Sequence, residues 1–88
     1  MAEYLLELYV SRSDAAAVRR ESERARRAAH ELTGEGTPVH YLRSIFVPED
    51  ETCFLLYQAE SIDAVRLAAG RAGLRNARIK VTTSEEIP

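Results

Sequence analysis

The chain has 88 residues, with 12 basic and 14 acidic side chains, a formal net charge of −2 and 45% hydrophobic content. That length is one domain, and the near-balanced charge argues against a general binder of nucleic acid or other polyanions. One cysteine, Cys53, excludes an internal disulfide and suits a reducing cytoplasm, and two histidines, His30 and His40, leave few ligands for a metal.

The first run, MAEYLLELYV, carries Glu3 and Glu7 among its apolar residues and has no basic cluster, so neither a signal peptide nor a membrane span is expected. Residues 3–10 instead alternate as a strand, with Tyr4, Leu6, Leu8 and Val10 on one face and Glu3, Leu5, Glu7 and Tyr9 on the other. Ser13 or Asp14 can cap a helix running to about Leu32, whose inner stripe reads Val18, Ser22, Ala25, Ala29 and Leu32. Its outer face is dense in Arg and Glu, with Glu23 four residues before Arg27. The glutamates among those arginines mark a solvated face rather than a nucleic-acid surface. His30, near the helix end, reads as an exposed residue that complements the helix dipole.

Gly34 to Pro38 is a turn-rich connector. Residues 39–47, VHYLRSIFV, and 52–59, TCFLLYQA, are two strands joined by the polar turn Pro48-Glu49-Asp50-Glu51, which makes a β-hairpin. Ser61 caps a second helix over Ile62 to Ala72, with Ile62, Val65, Ala69 and Ala72 inward and Gly73 as its stop. Arg78 to Thr82 is a last short strand, and residues 84–88 form a frayed tail to a domain spanning 1–83.

The order βαββαβ fits the α+β ferredoxin-like fold, in which two helices cover one face of a four-stranded antiparallel sheet. With an unbulged hairpin, Val39, Tyr41, Arg43, Ile45 and Val47 share a face with Thr52, Phe54, Leu56 and Gln58, and His40 shares the other with Cys53. Both faces are too apolar for water, and two helices shelter one. The second face is therefore expected to pack against its copy in a homodimer, as a dimeric α+β barrel or a related sheet-to-sheet pair. A core this thin, burying roughly 60–65% of the unfolded surface, also favours association.

The segments YLRSIFVPEDETCF, LYQAESIDAVRLAAGRAGL and ARIKV resemble a bacterial family of small ferredoxin-like domains of unknown function, some of whose members are labelled nickel-binding or nickel-responsive. The resemblance implies a ferredoxin-like fold, homodimers and a link to nickel, without an established reaction. Members usually carry Glu before the alanine of the third strand and Pro soon after it, where this chain has Gln58 and Glu60. No nickel ligand set carries over onto these residues.

Glu7, Tyr9, Tyr41, Arg43, Phe54 and Gln58 are the candidate ligand-binding residues, all expected on the uncovered face. A carboxylate among apolar groups can act as an acid or base, Arg43 can hold an anionic oxygen, and tyrosine hydroxyls can orient a polar ligand. The plainer account is an interfacial Glu–Arg pair that satisfies both charges. No residue marks itself as a nucleophile, and no glycine-rich phosphate loop, GxSxG or HExxH is present. Cys53 opposes Phe46, six residues from His40 and roughly 20 Å away along a strand, so the two cannot share a metal within one subunit. The expected function is a small ligand- or divalent-metal-binding domain. The alternatives are a cofactor-free enzyme of the dimeric α+β barrel type (monooxygenase, isomerase or cyclase) and an accessory interaction protein without a pocket.

Overall fold

A computed structural model describes residues 1–74 and 77–82. The chain runs β1 (Ala2–Tyr9), α1 (Ala15–Gly34), β2 (Val39–Val47), β3 (Thr52–Ala59), α2 (Ile62–Arg71) and β4 (Arg78–Thr82). The strands form one antiparallel sheet in the order β2-β3-β1-β4, with α1 and α2 packed on one side. This is the ferredoxin-like arrangement that the element order predicts. The tail expected over 84–88 lies outside the described residues.

Alanine spacing explains how the helices sit. α1 buries Ala25, Ala28, Ala29 and Leu32, and α2 buries Ala64, Val65, Ala68 and Ala69. Small side chains let the helix axes approach the sheet, so the bulk of the core comes mainly from the strands: Tyr4, Leu6 and Val10, then Cys53, Leu55 and Tyr57. The ends are held locally. Asp14 takes the cap position of α1 without a side-chain cap bond; its carboxylate accepts from Arg20 instead at 3.2 Å. Glu23 pairs with Arg26 at 2.7 Å, three residues on, rather than with Arg27. In α2 the Ser61 hydroxyl accepts from the Ala64 N–H at 3.2 Å, as its sequence position predicts. Gly73 closes that helix at φ +78°, and a Cβ there would stand 2.4 Å from the Arg24 guanidinium.

The hairpin register holds as expected from Val47↔Thr52 to Arg43↔Leu56. It then breaks. Leu42 is an extra residue, and pairing resumes at Tyr41↔Tyr57, His40↔Gln58 and Val39↔Ala59. The bulge exchanges faces over the first part of β2. Val39 and Tyr41, expected on the uncovered face, lie on the helix side, and His40 moves from the side of Cys53 to the uncovered side. The gain is burial: Val39 is sealed and Tyr41 packs edge-on against Tyr57, with ring centres 5.9 Å apart. The cost is Leu42, left 42% exposed.

A chain of hydroxyls fixes this shift. The Ser22 hydroxyl donates to the Val18 carbonyl at 2.7 Å, which uses its one proton. Its contact with Ser44 must then be donated by Ser44, and the contact between Ser44 and Tyr41 by Tyr41. Bonds thus run from Tyr41 to Ser44 to Ser22 to the α1 backbone. Thr33 adds a second tie, accepting from the Val39 N–H at 3.1 Å and donating to the Val39 carbonyl at 2.8 Å. The Tyr57 hydroxyl, by contrast, is buried with no hydrogen-bond partner among the described residues. Its ionisation is pushed up, first by desolvation and then by the neighbouring Tyr41.

Ser44→Ala leaves the part-buried Tyr41 donor without its acceptor and is expected to cost about 1–3 kcal/mol in urea denaturation. Tyr57→Phe removes an unpaired buried hydroxyl and is expected to leave stability unchanged or raise it. A loss above about 1 kcal/mol there would reveal a partner for that oxygen.

Candidate functional site

The uncovered sheet face resolves into rows running across β4, β1, β3 and β2. One row is Arg78, Glu7, Phe54 and Ile45; the next is Lys80, Leu5, Leu56 and Arg43; a third is Thr82, Glu3, Gln58 and His40. Tyr9, Thr52 and Val47 close the end of the sheet. Leu5, Phe54, Leu56 and Ile45 form an apolar centre, and charged or amide side chains surround it. That distribution is the anatomy of a protein interface, with an apolar middle and a polar rim.

Five of the six candidate residues, Glu7, Tyr9, Arg43, Phe54 and Gln58, share this face. Tyr41 does not, because of the bulge. Glu7 faces a different cation from the one expected: its carboxylate lies 3.1 Å from Lys80 Nζ, and Arg43 makes no ion pair among the described residues. Phe54 is half-buried between Glu7 and Ile45, and Tyr9 is 72% exposed.

Tyr9 belongs to a knot at the end of the sheet. Its hydroxyl donates to Glu51 at 3.2 Å, and the same carboxylate accepts from the Arg12 N–H at 3.0 Å. The Glu51 carbonyl takes the Val10 N–H at 3.0 Å. These contacts hold Glu51 in the left-handed region, φ 49° and ψ 42°, where a residue with a Cβ is strained. They also lower its pKa, through the Arg12 N–H first and the Tyr9 hydroxyl and Arg12 charge after it, against desolvation.

A second place was not foreseen. His30 and His40 line one cleft of about 260 Å³ between the last turns of α1 and the start of β2, walled also by Arg26, Thr33 and Tyr41. The double bond of Thr33 to Val39 sets this up. His30 lies one helical turn before Thr33 and His40 directly follows Val39, so the tie brings both residues to the rim of this cleft, while the register turns the His40 side chain toward the uncovered face. The short connector between helix and strand, residues 35–38, is the available sign in the sequence. Arg26 is turned toward Glu23.

A family model described as nickel responsive protein, SCO4226-like, matches residues 8–81. The chain belongs to this SCO4226-like family. No curated protein and no solved structure matches it.

The family name raises the question of whether the residues suit nickel. Nickel(II) accepts imidazole and thiolate donors. Among the described residues no group of three or more His, Cys, Asp or Glu side chains is placed to hold a metal ion. Cys53 is fully buried beneath the helices, and its thiol pKa is raised by desolvation first and by the Glu21 charge second. It therefore resists forming the thiolate that binds metal. His40 stands on the opposite side of the sheet from it. His30 sits on α1, on the helix side, so the register does not bring the two imidazoles together.

Because the Glu51 pKa is depressed on folding, its contribution to stability is present above the ordinary glutamate value of 4.5 and fades as pH falls through the lower folded value. Glu51→Gln is therefore expected to lower Tm at neutral pH. The gap to the parent should close in acid, as followed by thermal denaturation across pH.

Proposed function

We propose that this SCO4226-like protein is a small homodimeric binding domain, joined through its uncovered sheet face, whose ligand is a divalent transition-metal ion of the nickel type. The apolar centre of Leu5, Phe54, Leu56 and Ile45, with its charged rim, supports the dimer. Ile45 is 43% exposed in the single chain, and contiguous apolar patches of this kind are what soluble monomers avoid. In the pair, Glu7, Tyr9, Arg43, Phe54 and Gln58 would border the space between the sheets, with Glu7 already neutralised by Lys80. Tyr41 would take no part there.

Family membership supports the nickel link. The lone thiol fits a reducing compartment, since burial keeps it from exchange chemistry. No helix of the described residues is long and apolar enough to cross a membrane.

Sedimentation equilibrium at micromolar protein is expected to give a dimer. Ile45→Glu combined with Phe54→Glu should weaken it at least about a hundredfold, since each buries an unpaired charge at the interface, while far-ultraviolet circular dichroism stays unchanged. Calorimetric titration with Ni²⁺ should give saturable heat. A parent protein that is monomeric at high concentration would sink the first half of the reading, and heatless titration the second.

A further inference from the structure

Arg24 and Arg27 of α1 and Arg71 of α2 line a single cleft of about 320 Å³ between the two helices. Arg24 and Arg27 are three residues apart and neighbours on the helix, where like charges repel. The carboxylates that could relieve them are largely taken. Glu23 and Glu31 each stand four residues from Arg27, yet Glu23 pairs with Arg26 at 2.7 Å and Glu31 lies 3.8 Å from Arg71. Arg71 also holds both Glu35 oxygens. Arg24 reaches Glu21 only at 3.4 Å, and Arg27 makes no hydrogen bond or ion pair among the described residues. We propose that this cleft binds a small phosphomonoester, with Arg24 and Arg27 holding the phosphate oxygens.

Two features beside the charge carry the assignment. The first is the floor. Ala28, Gly70, Ala72 and Gly73 line the cleft with nothing larger than a methyl group, so an anion can come up to the guanidinium groups without displacing a side chain. Gly73 has φ +78°, and a Cβ there would stand 2.4 Å from a terminal nitrogen of Arg24. The Arg24 guanidinium therefore lies directly over the bare end of α2. The second is the wall. Arg71, gripped by Glu35 through two bonds of 2.6 and 2.9 Å, fixes the far side of the cleft and leaves the anion to the two arginines of α1.

A guanidinium offers five N–H donors in a planar fork. Two forks from successive turns suit a tetrahedral dianion with three free oxygens better than a planar carboxylate with two. The volume is at the lower end for small-molecule sites, which leaves room for a modest organic group beyond the phosphate. A polymer of phosphates is disfavoured by the net charge of −2. The cleft lies in the helix layer, across the sheet from the face assigned to pairing, so it stays open in the proposed dimer and depends on neither the dimer nor nickel.

The test is an amide chemical-shift titration of the full chain with phenyl phosphate and with inorganic phosphate, each against sodium chloride of matched ionic strength. Arg24→Gln and Arg27→Gln are compared with the parent and with Arg19→Gln, an exposed α1 arginine outside the cleft. All three positions are exposed, so the variants should fold, as their unliganded spectra will report. Saturable shifts are expected to centre on residues 24–31 and 70–73. Arg24→Gln and Arg27→Gln should each weaken phenyl phosphate binding at least about fivefold, the loss of charge-assisted bonds at a solvated site, and Arg19→Gln less than about twofold. Shifts that chloride reproduces, shifts centred elsewhere, or an Arg19→Gln loss equal to that of Arg27→Gln would each overturn the site in favour of diffuse attraction. Inorganic phosphate bound at the cleft while phenyl phosphate is not would overturn the phosphomonoester in favour of the free ion.

Discussion

β3 is hydrogen-bonded on both edges, by β2 and by β1, and it is apolar on both faces. Cys53, Leu55, Tyr57 and Ala59 point toward the helices and are buried, while Phe54 and Leu56 point away and are half-covered. A strand of this composition needs shelter on two sides. The helices provide one, and their alanine stripes show how: they sit close, add little volume, and leave the filling to Leu6, Leu55 and Tyr57. Each large apolar side chain sealed this way contributes about 1.5–3 kcal/mol. Such contributions are weighed against chain entropy in a domain this small. No third α-helix exists among the described residues to do the same for Phe54 and Leu56.

Most of this architecture can be read from the residues in order. The alternation of TCFLLYQA, the capping Ser61 and the Pro-Glu-Asp-Glu turn each point to one local structure, and β2 and β3 begin and end where those signals stand. The bulge is different. Nothing in Tyr41-Leu42-Arg43 marks an extra residue, because its benefit lies in contacts far along the chain: Tyr41 against Tyr57, and the hydroxyl relay through Ser44 to Ser22. A one-residue slip reverses every side chain beyond it. That is why strict alternation along β2 puts Tyr41 with the wrong neighbours and His40 on the wrong side.

Charge plays an organising part in few places. The pairs along α1 and α2, such as Glu23 with Arg26 and Asp63 with Arg66, are exposed and add little to stability. Two contacts link distant parts instead. Arg71 holds both Glu35 oxygens, at 2.6 and 2.9 Å, which lashes the end of α2 to the end of α1 and lowers the Glu35 pKa. Glu51 joins the hairpin turn to the exit of β1 and accepts backbone strain to do so. Those two carboxylates secure opposite ends of the fold.

The outer strands carry a further consequence. β2 is one border of the sheet, and its bulge interrupts the regular row of backbone donors and acceptors that an incoming strand would need. β4, the other border, is short and bears Arg78 and Lys80. Kinks and cations at borders are how sheet proteins discourage the endless side-by-side addition that leads to fibrils. Growth along the hydrogen-bonding direction is thereby disfavoured at both borders, which leaves the broad uncovered face as the surface on which the proposed pairing would take place.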